Sequence, residues 1–197
     1  MGTDITLYAE INNNGQWQPI PEPSTTNWSE GQVVPIEPIS WGRPYELFTV
    51  LAGAATYKVR TVHMEIQTIV EPRGFPRDMN PFYREAFDEE ELDLTFCHSW
   101  LLVQEIIDFD WDNQFVIHEH YVEPENAHLF HKNNNFPYDN FPKDAMLAYI
   151  QQKDKQLSLV RWKESYREFV GCSEWLIEEL LKLGDPQKVR VIFWFEA

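Results

Sequence analysis

Four of the six histidines fall within VIHEHYVEPENAHLFH, residues 116–131. His118 and His120 are two apart, so on a strand their rings share a face. His128 and His131 are three apart, so on a helical turn they share one too. Two such pairs meeting on one ion would form a zinc site, with Glu119, Glu123 or Glu125 as outer carboxylates. The spacing matches no established ligand pattern, and His118-Glu119-His120 lacks the H-E-x-x-H register of a zinc protease. A solvated, neutral His-rich stretch is therefore the first expectation and a divalent metal the second. No organic cofactor is expected.

A second cluster is Cys97-His98-Ser99-Trp100. Neighbours on a strand point to opposite faces, so His98 cannot act as the base for Cys97 or Ser99. No G-x-S-x-G elbow frames the serine. A working His98 needs an acid from elsewhere, such as Asp4, Glu10 or Glu71. The preferred reading has His98 bonded to a loop and Trp100 in the core. Arg73, in EPRGFP, carries a planar fork suited to a carboxylate or phosphate. In an acidic chain its expected partner is internal, Glu71 or Asp78. Arg43 raises the same question. The run DEEELD, residues 88–93, reads as a solvated helix face or a docking surface for a basic partner. Phosphate loops, dinucleotide fingerprints and EF-hand loops are missing from the sequence, which removes several enzyme classes.

These residues need elements to hold them. Ile5, Leu7, Ala9 and Ile11 alternate with polar neighbours, and Asn14-Gly15 then turns the chain into Gln16-Trp17-Gln18, which predicts a hairpin. Residues 19–44, rich in Pro, Ser and Glu, predict a long ordered loop holding Trp28 and Trp41. PYELFTVLAG predicts a helix started by Pro44 and stopped near Gly53, with Leu47, Phe48, Leu51 and Ala52 on one face. Strands are expected over 62–70 and 115–122, and short helices over 82–92 and 144–153. EPRGFPRDMNP should be a rigid loop. Residues 100–109 should pass from strand to helix. Ser173 should cap a helix with a broad apolar face that ends at Gly184-Asp185-Pro186. VRVIFWFEA, apolar on both faces, belongs mid-sheet.

The expected fold is a single α+β domain over 1–197, with a mixed or mostly antiparallel sheet and helices packed on it. Hydrophobic residues make up 43% and aromatics 15% of the 197 residues, enough for a real core. Thirty-two acidic residues against 16 basic ones give a net charge of -16, which disfavours nucleic acid and anionic membranes as partners. With two cysteines, Cys97 and Cys172, a disulfide framework is not expected. The opening residues do not read as a secretion signal, and no apolar run is long enough to span a bilayer, so a cytoplasmic location is expected.

The blocks MGTDI, RPYELFTVLAG, EPRGFP, HSWLLVQEIIDFDW and YREFVGCSEWLIEELLKLGDPQKVRVIFWFEA together resemble a family of uncharacterised bacterial and phage proteins. That family typically opens on Met-Gly-x-Asp-Ile-His. It shares an Arg-x-Tyr-x-x-Phe helix, an Arg-Gly-x-Pro loop, a His-Ser-x-Trp or Ser-Trp element and a Val-Arg-x-x-Phe-x-Phe strand. The resemblance points to Asp4, Arg43, Tyr45, Arg73, Gly74, His98, Ser99 and Trp100, and several polar members of that set are expected to line one pocket if the N-terminal strand and the loops meet there. Thr6 stands where the family has His, which fits binding better than metal catalysis. The expected function is a non-catalytic intracellular binding module of inhibitor or immunity type, acting on a basic protein or a small-molecule ligand. The alternative is a small hydrolase or nucleotide-processing enzyme with its pocket around His98 and Arg73, metal-dependent in one version.

Overall fold

The structure, a computed structural model, describes residues 4–22, 24–25, 33–34, 36–39, 42–53, 66–85, 95–131 and 135–196. It has an α+β architecture. The N-terminal hairpin is present as β1 (Asp4–Asn13) and β2 (Gln16–Ile20), with Ala9 opposite Ile20 and Asn13 opposite Gln16. Asn14 and Gly15 both take positive φ, 55° and 88°, as a tight two-residue hairpin turn requires. Two short strands follow, β3 (Ser24–Thr25) and β4 (Val33–Val34), so the 19–44 segment is not all loop. Trp28 and Trp41 lie outside the described residues.

Helix α1 (Tyr45–Ala52) follows Pro44, which caps the helix rather than opening it. It ends where Gly53 turns left-handed at φ 69° and returns its N–H to the Thr49 carbonyl. Of the strand expected over 62–70, residues 66–70 are irregular and the rest lie outside the described residues. Helix α2 (Pro81–Glu85) forms the start of the segment expected to be helical; residues 86–94, including DEEELD, lie outside the described residues. Strand β5 (Thr95–Leu102) runs directly into α3 (Val103–Asp108), the strand-to-helix step that the sequence predicts.

Strand β6 (Phe115–Val122) pairs antiparallel with β7 (Ser158–Ser165) as a separate two-stranded ribbon. Between them lie a 3-10 helix (Pro124–His131) and a run of turns. The helix expected over 144–153 is not there. Ala148 instead makes a two-way backbone bridge to Tyr121, at 2.7 and 2.8 Å, and pins that segment to the ribbon. Helix α4 (Tyr166–Val170) starts at Ser165, whose hydroxyl and N–H exchange hydrogen bonds with Glu168. Helix α5 (Ser173–Leu181) is capped at Cys172, so Ser173 is its first helical residue and makes no cap bond. Its buried face is narrower than the sequence implies. Leu176 and Leu180 are inside, while Trp175 and Leu181 stay largely exposed.

Strand β8 (Val189–Glu196) closes the main sheet, whose order is β2-β1-β8-β5 with every neighbour antiparallel. All of its residues except Glu196 are buried, as expected of a strand with cover on both faces. One face packs Ile5, Leu7, Ala9, Val191, Phe193 and Phe195 against α1, α3 and α5. On the other face, Tyr8, Ile192 and Trp100 meet Phe75, Met79, Phe82 and Tyr83 from the loop and short helix over 71–85. That rigid loop is thus a lid across the sheet, and it places the sequence-predicted site residues.

Candidate functional site

The edge strand β5 carries the first group. Its register with β8 slips between Phe96 and Ser99, which adds one residue as a bulge, and Cys97 there has φ 52°. Such a bulge re-aims the next side chain. His98 Nε2 lies 2.6 Å from the Thr95 hydroxyl, and its ring packs on Phe75 with centroids 4.6 Å apart. Burial holds the His98 imidazole below its usual pKa and pushes the Cys97 thiol up, so both favour their neutral forms. The Ser99 hydroxyl is buried and accepts from the Arg73 backbone N–H at 3.1 Å. Gly74 donates its N–H to the His98 carbonyl at 2.9 Å.

Arg73 does not pair with Glu71 or Asp78. Its fork meets the two oxygens of Glu105 at 2.9 and 2.6 Å, and its guanidinium lies 4.8 Å over the Trp100 ring. The Arg73 fork, helped by the Leu102 N–H, holds the Glu105 carboxyl below the ordinary carboxylate range. Arg73, His98, Ser99 and Trp100 therefore do come together.

Asp4, Arg43 and Tyr45 form a second group. Arg43 grips Asp4 at 2.6 and 3.0 Å in the open, and Tyr45 meets Phe48 edge-on. Asp4 and Thr95 both lie opposite Glu196, so the two groups sit at the same end of the sheet across three strands. Between them Glu196 accepts from the Thr6 hydroxyl and the Trp194 indole at 3.0 and 3.2 Å. Two of the three acids proposed for His98 are committed elsewhere, Asp4 to Arg43 and Glu10 to Arg190. The observed partner of His98 is a hydroxyl, which cannot raise its basicity as a carboxylate would.

Sequence reading missed the buried charge cluster beneath the lid. Arg190 and Glu10 are 2% and 0% exposed and bond at 2.7 Å. Arg190 also reaches Asp78 at 2.7 Å and lies 3.9 Å over the Trp17 ring, while Asn80 donates its N–H to Glu10 at 2.7 Å. The lone charge of Arg190 in the otherwise apolar run 189–195 was the available signal, since such a charge must pair when buried.

The histidines are placed differently from the expectation. His118 and His120 are not solvated. They are 9% and 5% exposed on the inner face of the ribbon. His118 stacks on Trp162 with ring planes 3° apart and centroids 4.7 Å apart, and His120 packs on Trp162 and Tyr149. His128 is exposed, with Nδ1 2.7 Å from the Glu125 carbonyl, and the side chain of His131 lies outside the described residues. Among the described residues, no three His, Cys, Asp or Glu side chains are placed to hold a metal ion.

The same ribbon carries pockets that the sequence did not suggest. One of about 420 Å³ is lined by Phe136, Tyr138, Trp162, Lys163, Glu164 and Glu168, with Asn135. His118 stands behind it, Nε2 3.0 Å from Glu164 but out of line for a hydrogen bond. On the outward side of the ribbon a hollow of about 430 Å³ is lined by Phe115, Ile117, Arg161, Trp162 and Lys163. None of the protein families, curated proteins or solved structures compared with this chain matches it.

Proposed function

We propose that the protein is a non-catalytic binding module for a basic protein, of inhibitor or immunity type, and that it docks through the outward face of the β6–β7 ribbon. The observation that carries this reading is the exposure of Phe115, Ile117 and Leu159, at 41%, 43% and 48%, on one face of a two-stranded sheet. Side chains alternate along a strand, so these residues point away from the inner His118, Val160 and Trp162. Clustered exposed apolar groups on a charged chain mark contact surfaces. Arg161 paired to Glu119 lies between Ile117 and Leu159, and Lys163 sits over the Phe115 ring at 4.2 Å, so polar groups are interleaved with the apolar ones on this face. The net charge of -16 would draw a basic partner into encounter.

The test compares capture from a host lysate by the wild-type chain and by Ile117→Asp, at low and high salt. A basic protein held by wild type, released by salt and lost with Ile117→Asp supports the reading. Equal capture by both chains refutes it.

One observation favours a second reading, a small hydrolase or nucleotide-processing enzyme at His98 and Arg73. The positive φ at Cys97 lies beside His98, and uncommon backbone conformations cluster at functional sites. A panel of ester and nucleotide substrates, run with wild type and His98→Gln, decides it. Turnover abolished by the substitution supports catalysis, and no turnover by wild type removes it.

A further inference from the structure

Resting on the binding-module reading, we infer that the pocket between the 135–138 turn and β7 receives a guanidinium group, the end of an arginine side chain from the basic partner. Its walls grade in exposure from floor to mouth. Trp162 is 7% exposed, the Glu164 side chain 21%, and Tyr138 75%. Phe136 meets Trp162 at 68° and Tyr138 at 55°, with centroids 5.2 and 4.8 Å apart, so the three rings form an open corner rather than a closed stack. Aromatic faces attract a cation, and a flat guanidinium gains stacking as well.

The charge at this corner is negative. The Glu164 carboxylate lies 3.0 Å from His118 Nε2, and Glu168 binds the N–H and hydroxyl of Ser165 at 3.0 and 2.8 Å. Among the described residues, neither carboxylate pairs with a Lys or Arg. Lys163 lines the pocket, yet its ammonium sits over Phe115 on the outward side. Burial, with Glu164 and Glu168 nearby, pushes the Tyr138 phenol up, which is consistent with both carboxylates facing the same space. The His118 ring, nine-tenths buried, leaves Nε2 without an aligned acceptor and backs Glu164 from the inside. Rings on two sides and two carboxylates at the rim match a planar cation with several N–H donors. The volume, about 420 Å³, is ample for one arginine side chain.

The experiment titrates N-acetyl-arginine amide into the ¹⁵N-labelled full chain and follows backbone amide shifts. Saturable shifts confined to residues 135–138 and 162–168 are expected. They should weaken by about tenfold or more in Glu164→Gln/Glu168→Gln, whose side-chain amides keep an acceptor for the Ser165 cap. Tyr138→Ala, which removes the ring at the pocket mouth, should weaken them too. N-acetyl-citrulline amide has the shape without the charge and should produce no shifts. Equal shifts from citrulline, shifts spread evenly over the acidic surface, or an unchanged affinity in the double variant would each overturn the proposal. N-acetyl-lysine amide binding as tightly as arginine would overturn the guanidinium assignment. Ile117→Asp should leave the arginine titration intact. The failure of the docking face and the failure of this pocket therefore read out separately.

Discussion

Replacing Arg190 with Met should remove a large share of the fold's margin at neutral pH and much less of it in acid. Arg190 is 2% exposed and its partner Glu10 is fully buried. Met keeps the stem and removes the guanidinium, so Glu10 is left with only the Asn80 N–H. Breaking a buried pair from one side costs about 3–5 kcal/mol, against a total stability of about 5–15 kcal/mol for a typical domain. The pH dependence follows from Glu10. Burial raises its carboxyl above the ordinary value of 4.5, and Asn80 and Arg190 oppose that rise. Without Arg190 it rises further. A carboxyl whose folded pKa lies above its unfolded one incurs no penalty below the unfolded value, and a growing one as pH climbs from there towards the folded value. Asp78, held low by Arg190, loses its smaller share in the same direction. Urea unfolding at about pH 7 and about pH 4 should give a clearly smaller loss in acid. Glu10→Gln, which removes the buried charge but keeps an acceptor for Asn80, should cost less than Arg190→Met at neutral pH. A loss at pH 7 of under about 1 kcal/mol, or one independent of pH, would refute the assignment of a buried charged pair.

The remaining expectations are smaller. His98, lowered by burial from 6.5, should titrate below that value in an NMR pH series. Because its folded pKa is depressed, the linked stability is complete above 6.5 and declines as pH falls below it. A His98→Gln variant should flatten that decline in thermal melts. His118→Ala should cost about 2 kcal/mol in urea, through the lost stack on Trp162 and the cavity left behind, whereas His128→Ala should stay within about 0.5 kcal/mol. Gly53→Ala should cost about 1 kcal/mol, since Gly53 sits at φ 69° where a Cβ is unwelcome. Arg73→Lys keeps the charge but loses the fork on Glu105. Both side chains are about a third exposed, so solvent screening should limit the loss to about 1 kcal/mol.

Local signals were legible where one residue type has one physical use. Asn14-Gly15 fixed the hairpin because both positions need φ above zero. The unbroken apolar pattern of 189–195 placed β8 mid-sheet, and Gly53 marked the end of α1. Pairing was not legible. Val160 and Trp162 alternate with Arg161 and Lys163, a period-two signal, but the partner strand β6 lies beyond a long stretch of turns. Without that partner, the histidines at 118 and 120 read as solvated when they are packed. Residues 144–153 have helical composition, yet the backbone bridge from Tyr121 to Ala148 outweighs propensity there. Arg73 was matched with acids near it in sequence, whereas the lid brings it to Glu105. The pocket at Trp162 was invisible for the same reason. Its rings and carboxylates come from segments that meet only once β6 and β7 have paired.

The central place of β8 also has a consequence for how the chain is made. β1 and β5 do not touch; each is hydrogen-bonded to β8, which is synthesised well after both. Until it emerges, β1 offers an unpaired edge to its surroundings or to a neighbouring nascent chain, and at ribosomal speeds that wait is roughly ten seconds or more. Apolar edges left open for that long are templates for wrong partners. The main sheet can therefore close only after residues 189–196 emerge, when β8 covers both edges at once.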